Sequence, residues 1–190
     1  MKKSTIVLIA VLAAVLLIVF WGVGTRNTLV SMEEGVSLQA SQVETQLQRR
    51  SDLIPNLVST VKGYAAHEEE VFTAVADARA RLSGAIEDSD VSAINEANAE
   101  FESAISRLLM VVESYPELKA SENFTALQDE LAGTENRINK ARQDYNEVVA
   151  SYNKKIKMFP QNIIAGMSGL EQAEYFEAAE GAEQVPNVEF

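Results

Sequence analysis

The chain has 190 residues, and its 28 acidic side chains outnumber its 16 lysines and arginines, which gives a formal net charge of −12. Such a surface repels nucleic acid and anionic lipid headgroups, so neither is expected as a direct ligand of the polar part of the chain. Because the sequence has no cysteine, disulfide bonds and a lipidated N-terminal cysteine are excluded, and stability must come from packing.

An uncharged apolar segment runs from Thr5 to Val23 and reads TIVLIAVLAAVLLIVFWGV. As a helix it would measure roughly 28 Å, which is close to the hydrocarbon thickness of a bilayer. The alternative is a cleaved signal peptide, since Lys2 and Lys3 precede the segment and small residues surround Val23. The apolar core of a signal peptide usually has about 7–15 residues, so the length favours an uncleaved transmembrane anchor over about residues 5–23.

The charges beside this segment bear on the orientation of the anchor. Lys2, Lys3 and the amino terminus precede the span, whereas Arg26 alone follows it closely. Positive charge is enriched on the cytoplasmic side of membrane proteins, so this small difference favours a cytoplasmic N-terminus and an extracytoplasmic body.

The residues after the span follow a helical pattern nearly throughout. The first soluble helix has one apolar face, made of Val43, Leu47, Ile54, Leu57, Val58, Val61 and Ala65. Pro55 predicts a kink or a break in it. A second helix begins near Glu68, where carboxylates favour a helix N-terminus. Its apolar positions are Val71, Val75, Ala78, Leu82 and Ile86.

Two further helices follow. The cluster Asp88-Ser89-Asp90 predicts a turn and an N-cap for the third helix, which ends at Tyr115-Pro116. Its apolar stripe consists of Ile94, Ala97, Phe101, Ile105, Leu108 and Val112. We expect Ser121 to cap a fourth, longer helix that Pro160 stops.

The fourth helix has a sustained heptad pattern, which is typical of a coiled-coil or bundle seam. Its positions alternate three and four residues apart and are Phe124, Leu127, Leu131, Thr134, Ile138, Ala141, Tyr145, Val148 and Tyr152. Short loops make neighbouring helices antiparallel. The predicted fold is therefore all-α, with an N-terminal transmembrane helix followed by an elongated antiparallel helical bundle.

The C-terminal residues differ in composition. A small apolar patch is followed, from Glu171 onward, by six glutamates and no lysine or arginine. This predicts a short docked segment and then an acidic, mobile end. We expect a membrane anchor at residues 1–26, a helical bundle at 27–165 and an acidic tail at 166–190.

Arg50 lies in the middle of the apolar face of the first soluble helix. A guanidinium placed there needs an acidic partner or must extend to solvent. Glu135 and Asp144 flank the seam of the fourth helix and are the expected partners. We interpret Arg50 as one half of a structural ion pair that fixes the register of the helices.

The opposite face of the same helix has a polar stripe at helical spacing, formed by Arg49, Asp52, Asn56, Thr60, Gly63 and His67. Such a stripe is found both on protein-binding surfaces and on ordinary solvated helix faces. The candidate partner-binding residues are Arg49, Asp52, Asn56, Thr60 and His67.

The sequence has no recognisable catalytic arrangement. His67 is its only histidine, and without cysteines a zinc site there would need carboxylates such as Glu68. There is no Gly-rich phosphate loop, HExxH or GxSxG motif. We expect no enzymatic activity, no catalytic residue, no metal site and no cofactor. Tyr145-Asn146 and Tyr152-Asn153 repeat one heptad apart, and core packing is their expected role.

Two motifs resemble those of a known family. The run RRSDLIPNLVSTVKGY, residues 49–64, followed by His67-Glu68 and Ala78-Arg79, is similar to the hallmark of the LemA family. The repeated Tyr-Asn pairs running into Phe159-Pro160 resemble the second signature of that family. One segment, Asn27-Thr-Leu-Val30, departs from the Tyr-Asn-x-Leu-Val usual in the family at that point.

This resemblance implies a bacterial single-pass membrane protein with an antiparallel helical bundle and no assigned enzymatic activity. It also implies a cytoplasmic bundle, which is the opposite of what the charge bias favours, so both orientations stay open. The family resembles a component of magnetosome membrane formation and is often encoded beside a membrane metalloprotease of the HtpX type.

These observations predict a membrane-anchored helical scaffold or protein-interaction module of the bacterial envelope, in the cytoplasmic (inner) membrane. The alternative is an accessory regulator of a membrane-bound protease of the HtpX type. The expected partners are the membrane, through one spanning helix, other envelope proteins and a second copy of the chain. Nucleic acid and small-molecule substrates are not expected.

Overall fold

The computed structural model describes residues 3–177. These residues contain six helices: α1 (Lys3–Lys62), α2 (Glu69–Asp88), α3 (Val91–Glu113), α4 (Pro116–Lys119), α5 (Glu122–Lys157) and α6 (Gln161–Ser168). No residue in the described range lies in a strand, so the predicted all-α fold is confirmed. Most of the acidic tail predicted at 166–190 lies outside the described residues, and the three domain boundaries stay predictions.

The first helix is longer than the sequence pattern suggested, because α1 is continuous over 60 residues. Its N-terminal part contains the apolar stretch that is long enough to cross a membrane, and every side chain from Ser4 to Trp21 is exposed there. The predicted break at Pro55 does not occur, since Pro55 lies inside α1. Proline removes one backbone hydrogen bond, and the buried neighbours Ile54 and Leu57 anchor the helix on both sides of it.

The ends of the other helices agree with most of the sequence signals. Asp90 caps α3, and its Oδ1 accepts a hydrogen bond from the Ala93 N–H at 3.1 Å. Ser89 adopts the left-handed conformation, with φ of 52°, at the turn between α2 and α3. The short helix α4, which begins at Pro116, was not predicted. The following helix α5 begins directly after Ser121 and ends before Pro160, as predicted.

The described residues fall into two compact units. The anchor unit comprises residues 3–39 and 147–173, and the bundle unit comprises residues 40–146 and 174–177. Helices α1 and α5 each contribute to both units, because their residue ranges cross the boundaries at 39 and 146.

The bundle unit has an apolar core in which α2 and α3 pack against each other. The predicted stripes are buried almost completely on α1 and α3, with Val58 the one half-buried member. The largest buried side chains of this core are Leu47, Ile54, Leu57, Leu82, Ile94, Phe101, Leu108, Leu118, Phe124 and Tyr145.

In the anchor unit, the end of α5 and helix α6 run back along α1. A Cβ atom added at Gly35 would lie 3.9 Å from Val148 Cγ1, and one added at Gly22 would lie 3.6 Å from Ile164 Cδ1. The chain therefore runs antiparallel to α1 between residues 148 and 164. The buried side chains of this unit are Leu29, Val36, Val149, Tyr152, Asn153, Ile156 and Ala165.

The seam predicted for α5 drifts along the helix. Phe124, Ile138 and Tyr145 are buried as predicted, but Val148 is only half-buried and Val149 is fully buried. A straight α-helix of 3.6 residues per turn rotates by about 20° per heptad relative to a strict seven-residue repeat. By Val148 the buried face has therefore begun to move to the next residue, although Tyr152 is still buried as predicted.

Candidate functional site

A buried charge cluster lies in the bundle unit around Arg50. The side chain of Arg50 is only 10% exposed, and its Nη1 lies 2.6 Å from Glu135 Oε2 and 3.4 Å from Glu102 Oε1. Its guanidinium carbon is 6.0 Å from the centroid of the Phe101 ring. Of the two carboxylates that the sequence suggested, Glu135 is therefore the neighbour of Arg50, whereas Asp144 pairs with Lys140 at 2.5 Å.

A second arginine and an amide complete this cluster. Asn98 donates to Glu102 Oε1 at 2.7 Å, so this carboxylate is held by both Asn98 and Arg50. Arg142 is also buried, and its Nε has no hydrogen-bond partner among the described residues. Burial lowers the pKa of the Arg142 guanidinium, and the charges of Glu102 and Glu135 oppose that shift. Two arginines and two glutamates thus balance each other between α1, α3 and α5.

The exposed part of the predicted polar stripe lies on α1, and its charged members have neighbours in the bundle unit. Arg49 Nη2 is 2.8 Å from Glu130 Oε1, which also accepts from Arg137 at 3.3 Å. Hydrogen bonds from Arg137 and then Arg49 hold the pKa of Glu130 below its usual range. Asp52 accepts from Gln48 at 2.9 Å and lies 3.6 Å from Arg79.

The other members of the stripe make no such pairs across helices. Thr60 is half-buried and donates to the backbone carbonyl of Asn56 at 2.8 Å. The placement of His67 on this helical face was wrong, because α1 ends at Lys62 and His67 lies in the loop before α2. Gly63 directly follows the last helical residue, and glycine has low helix propensity, which favours the end of the helix there. The stripe on α1 therefore ends at Thr60.

A shallow groove of about 620 Å³ lies beside Arg49 and Asp52 in the bundle unit. Leu53 of α1 and Ile86 of α2 supply apolar surface, and polar side chains supply the rest. The polar lining consists of Ser41, Glu44, Thr45, Gln48, Arg49 and Asp52, all on α1. An apolar base with charged edges is suited to holding a side chain of another protein.

Both asparagines of the Tyr-Asn pairs, and the tyrosine of the first pair, bind backbone rather than acting only as core. In the bundle unit, Asn146 donates to the Phe176 carbonyl at 2.8 Å and accepts from the Phe176 N–H at 3.0 Å. Tyr145 donates to the Glu174 carbonyl at 2.9 Å, and its ring meets that of Phe176 edge to face at 4.8 Å between centroids. Burial and then the charge of Glu174 raise the pKa of Tyr145.

In the second pair, inside the anchor unit, only the asparagine repeats the arrangement, since the buried Tyr152 hydroxyl has no hydrogen-bond partner among the described residues. Asn153 donates to the Ala173 carbonyl at 2.8 Å and accepts from the Ala173 N–H at 2.9 Å. Each asparagine thus pairs with both backbone groups of one residue, as a neighbouring strand would. The heptad spacing of the pairs was visible in the sequence, but the segment that they bind was not.

The described residues offer little to catalytic chemistry. In the range 3–177, no group of three or more His, Asp or Glu side chains is arranged to hold a metal ion. The residues gathered around Arg50 form charge pairs between helices, and Asn146 and Asn153 dock the C-terminal segment. The groove beside Arg49 is the feature suited to a protein partner.

Comparisons with known proteins agree with the motifs. Residues 39–190 match the model of the LemA family. The magnetosome proteins MamQ 1 and MamQ 2 of Paramagnetospirillum magneticum are each 30% identical over 174 residues, which cover 80% of this chain and 64% of the relative. The Protein LemA of Metamycoplasma hominis is 27% identical over 158 residues, which cover 83% of this chain and 71% of that protein. The match thus spans less than two thirds of the length of the magnetosome relatives.

Proposed function

This chain belongs to the LemA family, and on that premise we propose that it is a membrane-anchored helical scaffold that binds other proteins of the bacterial envelope and catalyses no reaction itself. The relatives named as magnetosome proteins support a membrane-associated role. The bundle unit supplies the binding surface, and the N-terminal part of α1 supplies the attachment to the membrane.

The continuity of α1 carries this proposal. One helix of 60 residues contains both the apolar stretch suited to a membrane and the polar lining of the groove. All backbone hydrogen bonds of such a helix are local, so it can pass from lipid to water without exposing unpaired groups. A protein bound at Arg49 and Asp52 would be held by the same helix that enters the membrane.

Site-specific crosslinking tests the groove. We would place a photo-crosslinking amino acid at Thr45 in the full chain and irradiate native membranes. We expect a discrete product with an envelope protein or with a second, differently tagged copy of the chain. The charge reversals Arg49→Glu and Asp52→Lys should each reduce its yield several-fold, because they invert the charges at the edge of the groove.

The matched control places the crosslinker at Gln143, an exposed position on α5 that is not part of the groove. Equal products from Thr45 and Gln143, or a product from Thr45 that both charge reversals leave unchanged, would contradict the groove as the binding surface.

We further propose that the anchor lies in the bacterial cytoplasmic membrane as a single span. A topology reporter fused to the C-terminus discriminates the two orientations. Reporter activity in the cytoplasm supports the orientation implied by the family, and activity outside supports the one favoured by Lys2 and Lys3. Recovery of the full chain in the soluble fraction of lysed cells would contradict the anchor itself.

A further inference from the structure

Four large apolar side chains of the anchor unit are exposed to solvent at the end of α5 and on α6. Phe159 is 78% exposed and Met167 is 81% exposed, and about half of Met158 and Ile163 is exposed as well. Ile163 and Met167 lie four residues apart and so share one face of α6. We call these four residues the apolar patch. Monomeric soluble proteins rarely leave such groups uncovered together, so the patch indicates a contact surface.

The position of the patch along α1 shows what it lies beside. Ile164 Cδ1 lies 3.6 Å from the position that a Cβ atom on Gly22 would occupy, and Gly22 is next to the last residue of the predicted span, Val23. The chain passes Gly35 at Val148 and then runs antiparallel to α1. Helix α6 therefore lies beside the end of the span, at the level where hydrocarbon gives way to headgroups.

A basic cluster precedes the patch, although the chain as a whole is acidic. Lys154, Lys155 and Lys157 occupy the last turn of α5, where positive charge also complements the helix dipole. Lys154 and Lys157 are exposed. Counting 1.5 Å per residue from the contact of Val148 with Gly35, the Cα of Lys157 lies within about 6 Å of the level of Gly22. Three lysines thus lie close to the expected headgroup layer.

We propose that α6 and the residues leading into it form a second membrane-contacting element, which lies in the headgroup region of the bilayer beside the spanning helix. The apolar patch enters the boundary of the acyl chains, and the lysines contact anionic lipid phosphates. A short apolar face flanked by lysines is the composition of helices that lie in this interface. The net charge of the whole chain predicted no binding to anionic lipid, but these three lysines are neighbours in the sequence and the fold places them near the end of the span.

Lipid is the occupant that the position favours. The patch lies next to Ile164, whose Cδ1 is close to Gly22 at the end of the proposed span. Trp21, at the same level of α1, is 42% exposed, and tryptophan is enriched at membrane interfaces. A protein bound to the patch would have to lie in the headgroup layer as well.

Depth measurements on the full chain test the proposal. The sequence has no cysteine, so single spin labels can be placed at will. We would label Met167→Cys in nanodiscs of phosphatidylcholine with phosphatidylglycerol and measure collisions with oxygen and with a nickel chelate. Two matched controls are Leu17→Cys in the span and Leu38→Cys, an exposed leucine of α1 farther from the membrane. We expect an oxygen-to-nickel ratio several-fold above that of Leu38 and below that of Leu17.

Two results would overturn the proposal. A ratio at Met167 equal to that at Leu38 would show that α6 lies in water. Low accessibility to both oxygen and nickel would show that a protein, or a second copy of the chain, covers the patch. Neither result would touch the groove near Arg49, which belongs to the other unit.

A second variant tests the lysines without disturbing the packing of α6. Replacing Lys154, Lys155 and Lys157 by glutamine should lower the ratio at Met167 several-fold in the anionic nanodiscs and leave it unchanged in pure phosphatidylcholine. An equal ratio in anionic nanodiscs with and without the lysines would contradict their contact with phosphate.

Discussion

Two stretches of α1 belong to one helix but follow opposite rules for side-chain placement. From Ser4 to Trp21 the side chains are exposed on every side, and the apolar residues are distributed all around the helix. From Val43 to Val61, apolar side chains occupy one buried face and polar side chains the other. The difference shows that the surroundings, lipid in one case and water with packed helices in the other, determine the sequence pattern more than the helix itself does.

The two stretches also differ in the charged residues that they contain. The first stretch has no charged residue. The second accepts Arg50 on its buried face, where Glu135 and Glu102 lie beside the guanidinium. In the bundle a buried charge is tolerated because carboxylates from other helices neutralise it.

The largest expected effect comes from removing the same leucine side chain in each stretch. Leu47 is fully buried, so Leu47→Ala should lower the free energy of unfolding of the bundle by about 3 kcal/mol, through lost burial and the cavity left behind. Leu17 is 70% exposed, so Leu17→Ala should leave that free energy unchanged. Urea unfolding of the full chain in detergent micelles, followed by circular dichroism, measures both. Equal losses would remove the distinction between the stretches.

The next effect concerns the buried arginine. Arg50→Ala leaves Glu102 and Glu135 without their guanidinium and should cost about 2–3 kcal/mol, near the low end for a broken buried pair because the two glutamate side chains are 25% and 33% exposed. The neighbouring Arg49→Ala removes an exposed pair with Glu130 and should cost much less, because solvent screens that pair. The same urea titration measures both losses. A loss at Arg49 as large as that at Arg50 would show that burial is not what makes Arg50 important.

A smaller effect extends the comparison to α5. Asn153 is buried and makes both of its side-chain hydrogen bonds to Ala173, so Asn153→Ala should cost about 1–2 kcal/mol and release the segment around Ala173. Asn139, an exposed asparagine of the same helix, donates to Glu135 at 3.2 Å and serves as the control. Hydrogen exchange of the Ala173 amide reports the release. If the Ala173 amide of Asn153→Ala is as protected from exchange as that of the parent chain, the hydrogen bonds to Asn153 do not hold the segment in place.

Much of the bundle could be predicted, because its helices and their caps depend on residues that are close together in the sequence. The stripes of α1 and α3 follow from the 3.6-residue period, and Asp90 caps α3 because of its side-chain chemistry. The features that the sequence did not predict depend on contacts between residues that are distant in the sequence. No sequence pattern predicted that Arg142 is buried, because it lies beside Arg50 only when α1 and α5 pack. The shift from Val148 to Val149 results from drift accumulated over several turns.

The candidate surfaces were predictable to different degrees. Arg49 and Asp52 were visible as exposed charges on α1, but the groove beside them requires Ile86 from α2. The hydrogen bonds of Asn146 could not be predicted, since nothing in the sequence indicates that Phe176 lies beside it. The exposed position of Met167 also depends on how α6 packs, because the sequence pattern predicted only a short docked apolar segment.

The smallest expected effect uses pH to separate the bundle from the apolar stretch of α1. Burial and the nearby Glu174 raise the pKa of Tyr145 above its ordinary value of 10.0, while the unfolded chain keeps that ordinary value. The unfolded state therefore loses its proton first, so the stabilising contribution is complete below about pH 10 and is lost as pH rises through the raised pKa. Residues 4–21 contain no ionisable side chain, so alkaline pH should leave their membrane association unchanged.

Urea titrations at pH 9 and pH 11 measure this loss in the bundle, and sedimentation with vesicles at the same pH values measures membrane association. Tyr145→Phe removes the hydrogen bond to the Glu174 carbonyl and should cost about 1 kcal/mol at pH 7, but it should make the alkaline loss smaller. Part of the loss will remain, because burial and then Glu33 also raise the pKa of Tyr152. An alkaline loss of the same size in Tyr145→Phe and the parent chain would show that Tyr145 does not carry it.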